Sequence, residues 1–367
     1  MSTRTPAEVF PPGEFIKDEL IEREWTQGDL AEILGRPAQA VNEIVAGKKA
    51  ITPETARGLG DAFGTGPDVW LNLENAFRLS QTPPPDESVA RRARLFDVAP
   101  VKEMLRRRWI SESDNINDLE TSVLRFFEIP SLDDTPSLAF AAKKSGGYAN
   151  TSLAQRAWCF RAKHLAEACE VDTFATEVLV DHLPEFRRLA EKLEGVQRVP
   201  AFLARLGIRF VIVEHLRSTR IDGAALWLDD VSPVVVMSMR YDRIDNFWFV
   251  LAHEIAHIKN GDRSVDTDLV GTSAQPIEEK PEFEKKADRM ASSLLIPTKT
   301  LQAFIERHRP RFSKQAIRGF AEKHGVHPGV VVGQLQYRKA IGYSHSREML
   351  IPVRDLVTEV ADTDGWE

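Results

Sequence analysis

Three polar residues interrupt an otherwise apolar stretch. Phe249-Val250-Leu251-Ala252-His253-Glu254-Ile255-Ala256-His257 contains the pattern His-Glu-x-x-His. On a helix, residues four apart share a face, so His253 and His257 can turn both imidazoles toward one ion. Neutral imidazole suits zinc, and two His ligands leave room for a carboxylate and a water. Glu254 lies about 100° round the helix from His253, as 3.6 residues per turn requires. It can face that water without being a ligand and take the proton that the ion makes easier to lose. This is the division of labour of a metallopeptidase. Burying three such groups without partners would cost several kcal/mol.

The third ligand is sought on a neighbouring element. Glu284-Lys285-Lys286-Ala287-Asp288-Arg289-Met290-Ala291-Ser292-Ser293-Leu294-Leu295 has a helical apolar face at Ala287, Met290, Ala291, Leu294 and Leu295. Glu284 sits on that face one turn before Ala287, and Asp288 four residues later also points inward. Glu284 is the expected ligand, with Glu282 as its nearest competitor. Asp288 is suited to accept the second N–H of a ligating His. Asp262, after Asn260-Gly261, reads as a turn residue.

His253–His257, Glu284-x-x-Ala287-Asp288 and Ala291-x-x-Leu294-Leu295-Ile296-Pro297 together resemble the ImmA/IrrE family of metallo-endopeptidases, over roughly residues 150–340. The resemblance implies that His253, His257 and Glu284 bind Zn2+ and that Glu254 is the catalytic base. The family more often has Asn where this chain has Asp288. The stretch Gly325 to Gln336 also follows the family pattern.

A second kind of chemistry lies near the start. Thr26 with Asp29 forms a shortened capping box before Gln27–Leu34, Gly35-Arg36-Pro37 makes a tight turn, and a further helix ends at Gly47. The segment from Pro12-Gly13-Glu14 to Leu71-Asn72-Leu73 resembles the HigA-type antitoxins, a branch of the Xre-like helix-turn-helix repressors. By analogy Gln27 would meet a phosphate, and Gln39, Ala40, Asn42 and Glu43 would face the major groove. Arg36, Lys48 and Lys49 flank that helix. Residues 1–80 carry 8 Lys and Arg against 13 Asp and Glu. Affinity for DNA leans on phosphate neutralisation, so binding is expected only as a homodimer on paired half-sites.

These sites need elements to hold them. Short capped helices fill residues 1–80, with apolar positions including Ile33 and Val69 expected inward. Thr82-Pro83-Pro84-Pro85-Asp86 stiffens a linker. Residues 81–150 read as that linker plus a helical connector, 151–300 as the peptidase domain, and 301–367 as a helical C-terminal region. Strands are expected at 207–213, 224–228 and 234–237, and helices over about 245–259 and 282–295. The fold class is thus multidomain: an all-α helix-turn-helix domain, then an α+β zincin-like domain with a small sheet. The Arg-rich run over 89–109 reads as a solvated helix face or a surface touching the acidic first domain.

The chain has 367 residues with a net charge of −7 and two cysteines, Cys159 and Cys169. Composition excludes a disordered or collagenous chain, and two cysteines cannot build a disulfide framework or a thiolate zinc cage. Both are expected to be small buried apolar residues. No apolar run approaches a membrane span and the start has no signal core, so a cytoplasmic location with no membrane partner is expected. The expected function is a DNA-binding zinc metallo-endopeptidase that cleaves a regulatory protein. The competing reading is an antitoxin or transcriptional regulator with a sensory or partner-binding zinc domain, and the antitoxin resemblance would add a cognate toxin as partner.

Overall fold

A computed structural model describes residues 9–83, 86–134, 136, 152–267 and 280–366. It divides into two compact units, Met1–Val89 and Ala90–Glu367. Pro84 and Pro85 of the expected linker, and residues 137–150 of the expected connector, lie outside the described residues.

The first unit contains α1 (Pro12–Glu22), α2 (Gln27–Ile33), α3 (Ala38–Val45), α4 (Pro53–Phe63) and α5 (Pro67–Gln81). Proline opens α1, α4 and α5, where its missing N–H costs nothing. The capping box of α2 forms as expected: the Asp29 N–H donates to Thr26 Oγ1 at 3.1 Å, and the Thr26 N–H to Asp29 Oδ2 at 2.7 Å. The Thr26 N–H and hydroxyl, both donating to Asp29 Oδ2, hold the Asp29 carboxyl below its ordinary range. Ile16, Leu30, Val41, Ile44, Leu59, Phe63 and Trp70 form the core. Gly13 lets α1 reach α3, since a Cβ there would stand 2.0 Å from the Val45 carbonyl oxygen. Ile33 and Val69 are exposed, contrary to expectation. On α2 the buried pair is Leu30 and Ala31, and a helix of seven residues has one buried stripe, too narrow for every apolar position.

The boundary falls within α6 (Glu87–Val98), and the second unit continues with α7 (Val101–Arg106), α8 (Ile116–Phe127), α9 (Leu153–Glu167), α10 (Thr176–Leu189) and α11 (Val199–Arg205). There follow β1 (Arg209–Val213), β2 (Ile221–Trp227), β3 (Pro233–Met237), α12 (Ile244–Asn260), β4 (Ser264–Thr267) and α13 (Glu282–Leu295). The chain closes with α14 (Thr298–His308), α15 (Lys314–Lys323), α16 (Pro328–Tyr337), α17 (Arg354–Thr358) and β5 (Asp362–Asp364). The sheet runs β4-β2-β3-β1-β5. β1 is parallel to β3 and β5, while β2 is antiparallel to β3 and β4.

Alternation of side chains splits the sheet between two cores. Val211, Val213, Val234 and Val236 face a layer built from α6 to α9, whereas Phe210, Ile212, Val235 and Met237 face α12. A register shift in β2 between Ile221 and Gly223 breaks the parity. It puts Ile221 with Ala224 and Leu226 in the first core and turns Gly223 to α12.

The expected connector and C-terminal region both contribute to the cores on either side of the sheet. The described part of the expected connector supplies Leu95, Met104, Trp109, Phe126 and Phe127 to the core behind the sheet. Residues 301–367 pack Leu301, Ile317, Val331 and Val357 into the core around α12 and end in a strand. The Arg-rich run is paired within this unit, with Arg91 on Glu120 and Arg107 on Glu214. Cys159 is buried as expected, but Cys169 is half-exposed, 3.2 Å from Asp362 Oδ2, with its thiol pushed up to about 12 chiefly by burial.

Candidate metal centre

α12 lies between the sheet and α13 and α16, which is why its sequence is apolar on nearly every side. His253, Glu254 and His257 are fully buried on it. Glu284, in the first turn of α13, brings Oε2 to 3.1 Å from His253 Nε2 and 3.5 Å from His257 Nε2. The two ring nitrogens are 2.9 Å apart. Among the described residues, these three form the one group of His, Cys, Asp or Glu side chains close enough to hold an ion. Ligand bonds of about 2.0–2.1 Å in a tetrahedron put donor atoms about 3.3 Å apart. The observed spacings of 2.9, 3.1 and 3.5 Å bracket that value, so the donor set fits a metal ion.

Asp288 stands behind His253, Oδ1 to Nδ1 3.0 Å. An imidazole that keeps its Nδ1–H directed at a carboxylate has its lone pair on Nε2, on the side of Glu284. Buried Lys280 donates to the other Asp288 oxygen at 2.7 Å. Burial pushes the Asp288 carboxyl up, but His253 and Lys280 more than offset it and hold it below its ordinary range. Glu284 is likewise pushed up by burial and brought well below the usual carboxylate range by His253 and His257.

Sequence reasoning missed three residues. Asp262, expected as a turn residue, also places Oδ2 3.5 Å from His257 Nδ1. The usable signal was Gly261, the left-handed cap of α12 at φ 69°, which folds the chain back on the preceding histidine. Lys280 lies before α13 and has no helical spacing to betray it. Gly223 borders Glu254: a Cβ there would stand 2.4 Å from Oε1 and 2.8 Å from Val250 Cγ1. A glycine inside a strand is itself a sign of close approach.

In the first unit, Gln39 and Asn42 project from α3 into solvent, Ala40 and Glu43 are half-buried, and Val41, Ile44 and Val45 face the core. Gln39 Nε2 donates to Glu43 Oε1 at 3.1 Å. Gln27 is half-buried in the first turn of α2, and Lys48 and Lys49 are exposed after α3. Arg36 pairs with Glu54 at 3.1 Å. The helix pair α15–α16 also reads as helix-turn-helix, but Val330, Val331, Val332, Gln334, Leu335 and Gln336 are all buried, so α16 cannot enter a groove.

Residues 205–335 match the peptidase family described as IrrE N-terminal-like domain, and residues 16–70 match the helix-turn-helix family. An uncharacterised HTH-type transcriptional regulator of Escherichia coli (strain K12), YddM, is 33% identical over 70 residues, which is 19% of this chain and 74% of that protein. Two solved structures from Pseudomonas aeruginosa are similar. One, the antitoxin HigA with the higBA promoter, is 33% identical over 20% of this chain and 82% of that chain, TM-score 0.20. The other, PA4674 in complex with its operator DNA, is 32% identical over 21% of this chain and 83% of that chain, TM-score 0.20. The chain therefore belongs to the HTH-type regulators through its first unit, and it carries an IrrE N-terminal-like domain of a metallopeptidase family in its second.

Proposed function

We propose that this protein is a DNA-binding regulator whose second unit hydrolyses a peptide bond in a regulatory protein. The observation that carries the reading is the convergence of His253 and His257 of α12 with Glu284 of α13, and of Glu254 beside the two histidines on α12. His253, His257 and Glu284 would hold zinc, which suits an imidazole and carboxylate donor set. Such an ion, when bound, supplies Lewis-acid polarisation of the scissile carbonyl and eases deprotonation of the attacking water. Glu254 accepts the water's proton and passes it to the leaving amine. Asp288 and Asp262 fix the two imidazole rings, and Gly223 leaves space for the Glu254 carboxylate.

The first unit would bring the peptidase to an operator as a homodimer, with Gln39 and Asn42 reading bases, Gln27, Lys48 and Lys49 on phosphates, and Arg36, Ala40 and Glu43 bordering the contact. A cytoplasmic location accords with DNA as partner. One observation favours a second reading, a sensory or partner-binding metal centre with little turnover, in which a cognate toxin is a natural partner. Neither histidine nor Glu254 has any solvent exposure.

A cell-based comparison separates the two. Wild type and Glu254→Gln are expressed at equal level, and the transcriptional response and the integrity of the candidate target are followed. Cleavage and response in wild type alone are expected, with little cleavage of generic peptides by the purified protein. Identical responses in both strains would assign the centre to sensing.

A further inference from the structure

Asn246, Phe249, His253 and His257 lie three, four and four residues apart and so share one face of α12. The face therefore continues past the metal centre toward the N-terminus of the helix. There it enters a pocket walled by the end of α13 and by α16, with Asn246, Phe249, Gln334, Tyr337 and Tyr343 among its lining residues. The Phe249 ring stands between the two sites, 6.2 Å from the His253 ring and 6.1 Å from that of Tyr337.

Two of the charged groups lining the pocket are engaged with each other. Arg243 grips Asp245 through Nε at 3.0 Å and a terminal nitrogen at 2.7 Å, and also donates to Gln336 Oε1 at 3.0 Å. Two neutral polar atoms are not engaged. Asn246 Nδ2 and Gln334 Oε1 are buried without a hydrogen-bond partner among the described residues. Each residue is only 7% exposed, and each lines this pocket. Gln334 cannot simply turn away, because its Nε2 donates to the Ser292 carbonyl at 3.1 Å. Buried polar atoms are costly to leave unpaired, and an idle donor and acceptor lining one pocket mark a place for a ligand that supplies the converse pair.

We propose that this pocket is a substrate subsite for a carboxamide side chain, glutamine or asparagine. Asn246 donates to the carboxamide oxygen, Gln334 accepts from its NH2 group, and the aromatic rings flank the aliphatic stem. The seven helical steps from Asn246 to His253 span about 10 Å, or about three residues of an extended peptide. The subsite thus lies about three residues from the bond to be cut. This assignment rests on the peptidase reading for its meaning but not for its test. Arg338 also lines the pocket, which makes glutamate the competing occupant.

The test uses the full chain and three small probes, the N-acetyl methylamides of glutamine, glutamate and methionine, titrated by ligand-observed NMR. A site built to hydrogen-bond a group discriminates strongly against analogues that lack it. The glutamine probe is expected to bind about tenfold more tightly than either other probe. Asn246→Leu should remove that preference while leaving the methionine probe unchanged. Asn246→Asp, which keeps the volume but exchanges the donor for an acceptor, should weaken the glutamine probe as well. Equal binding of all three probes, a preference for glutamate, or indifference to both substitutions would overturn the proposal. The same titration on Glu254→Gln, which lacks the proposed base, should match wild type. A glutamine preference in wild-type protein that leaves its target uncut in the cell-based comparison would refute the peptidase reading and leave the pocket assignment standing.

Discussion

Glu254 and Glu284 are both carboxylates near the same pair of histidines, and reach separates them. Glu284 touches both imidazole nitrogens, whereas Glu254 is turned about 100° away on its helix and rests against Gly223. Elemental analysis of the purified protein should accordingly find about one zinc per chain. His253→Ala, His257→Ala and Glu284→Ala should each lose it, and Glu254→Gln should keep it. A reversal between the two glutamates would exchange their roles. Gly223→Ala probes the same boundary from the sheet. Its methyl group would collide with the Glu254 carboxylate and with Val250, and overpacking of this kind costs about 1–3 kcal/mol. Zinc content should stay at the wild-type level while cleavage of the target falls about 100-fold or more, the scale of a lost general base. The two substitutions together ask whether zinc retention and turnover can be separated.

Helices carry most of what the sequence disclosed, because their ends are written in residue types. Thr26 with Asp29, and Asn260-Gly261, each mark a terminus that the structure places within a residue or two of expectation. The site was legible for the same reason: ligands four apart on one helix, and Glu284 and Asp288 on the inward face of the next, are local patterns. What stayed hidden depends on contacts distant in sequence. β4 and β5 are four and three residues long, too short for alternation to show. Trp109, Phe126 and Phe127 of the connector read as core anchors from their type alone, but nothing local says that the core they enter is the back of the sheet. At this scale the testable element is α3. Gel-shift titrations with the protein's own promoter region should show a complex that weakens steeply with salt. Replacing Lys48 and Lys49 together should weaken every sequence alike, since phosphate contacts carry no base information. Gln39→Ala or Asn42→Ala should instead change the preferred base, worth about 1–3 kcal/mol at its position. Absence of any complex at low salt would assign the first unit to protein docking.

At the scale of the whole molecule, the buried residues fall into one cluster for the first unit and two, sharing the sheet, for the second. Separate cores imply separate responses to separate ligands, and scanning calorimetry can read them. A ligand that binds only the folded state stabilises by RT ln(1 + [L]/Kd), about 4 kcal/mol at a thousandfold excess over Kd. For a unit somewhat larger than 150–250 residues, 1 kcal/mol moves the midpoint by about 2–4 °C. Removing zinc with a chelator should therefore lower the transition of the second unit by about 8–16 °C and leave the first unmoved. Operator duplex should raise the first transition and leave the second unmoved. Leu59→Ala identifies the first transition without touching either ligand: Leu59 is buried in the first core, and such a truncation costs about 2–5 kcal/mol. Movement of both transitions on adding operator would mean that DNA binding is coupled to the metal-binding unit. The two activities would then be one switch, not two functions joined by a linker. Chelation in the Glu254→Gln protein should reproduce the wild-type shift, because the base is not a ligand, and failure to do so would place Glu254 among the ligands.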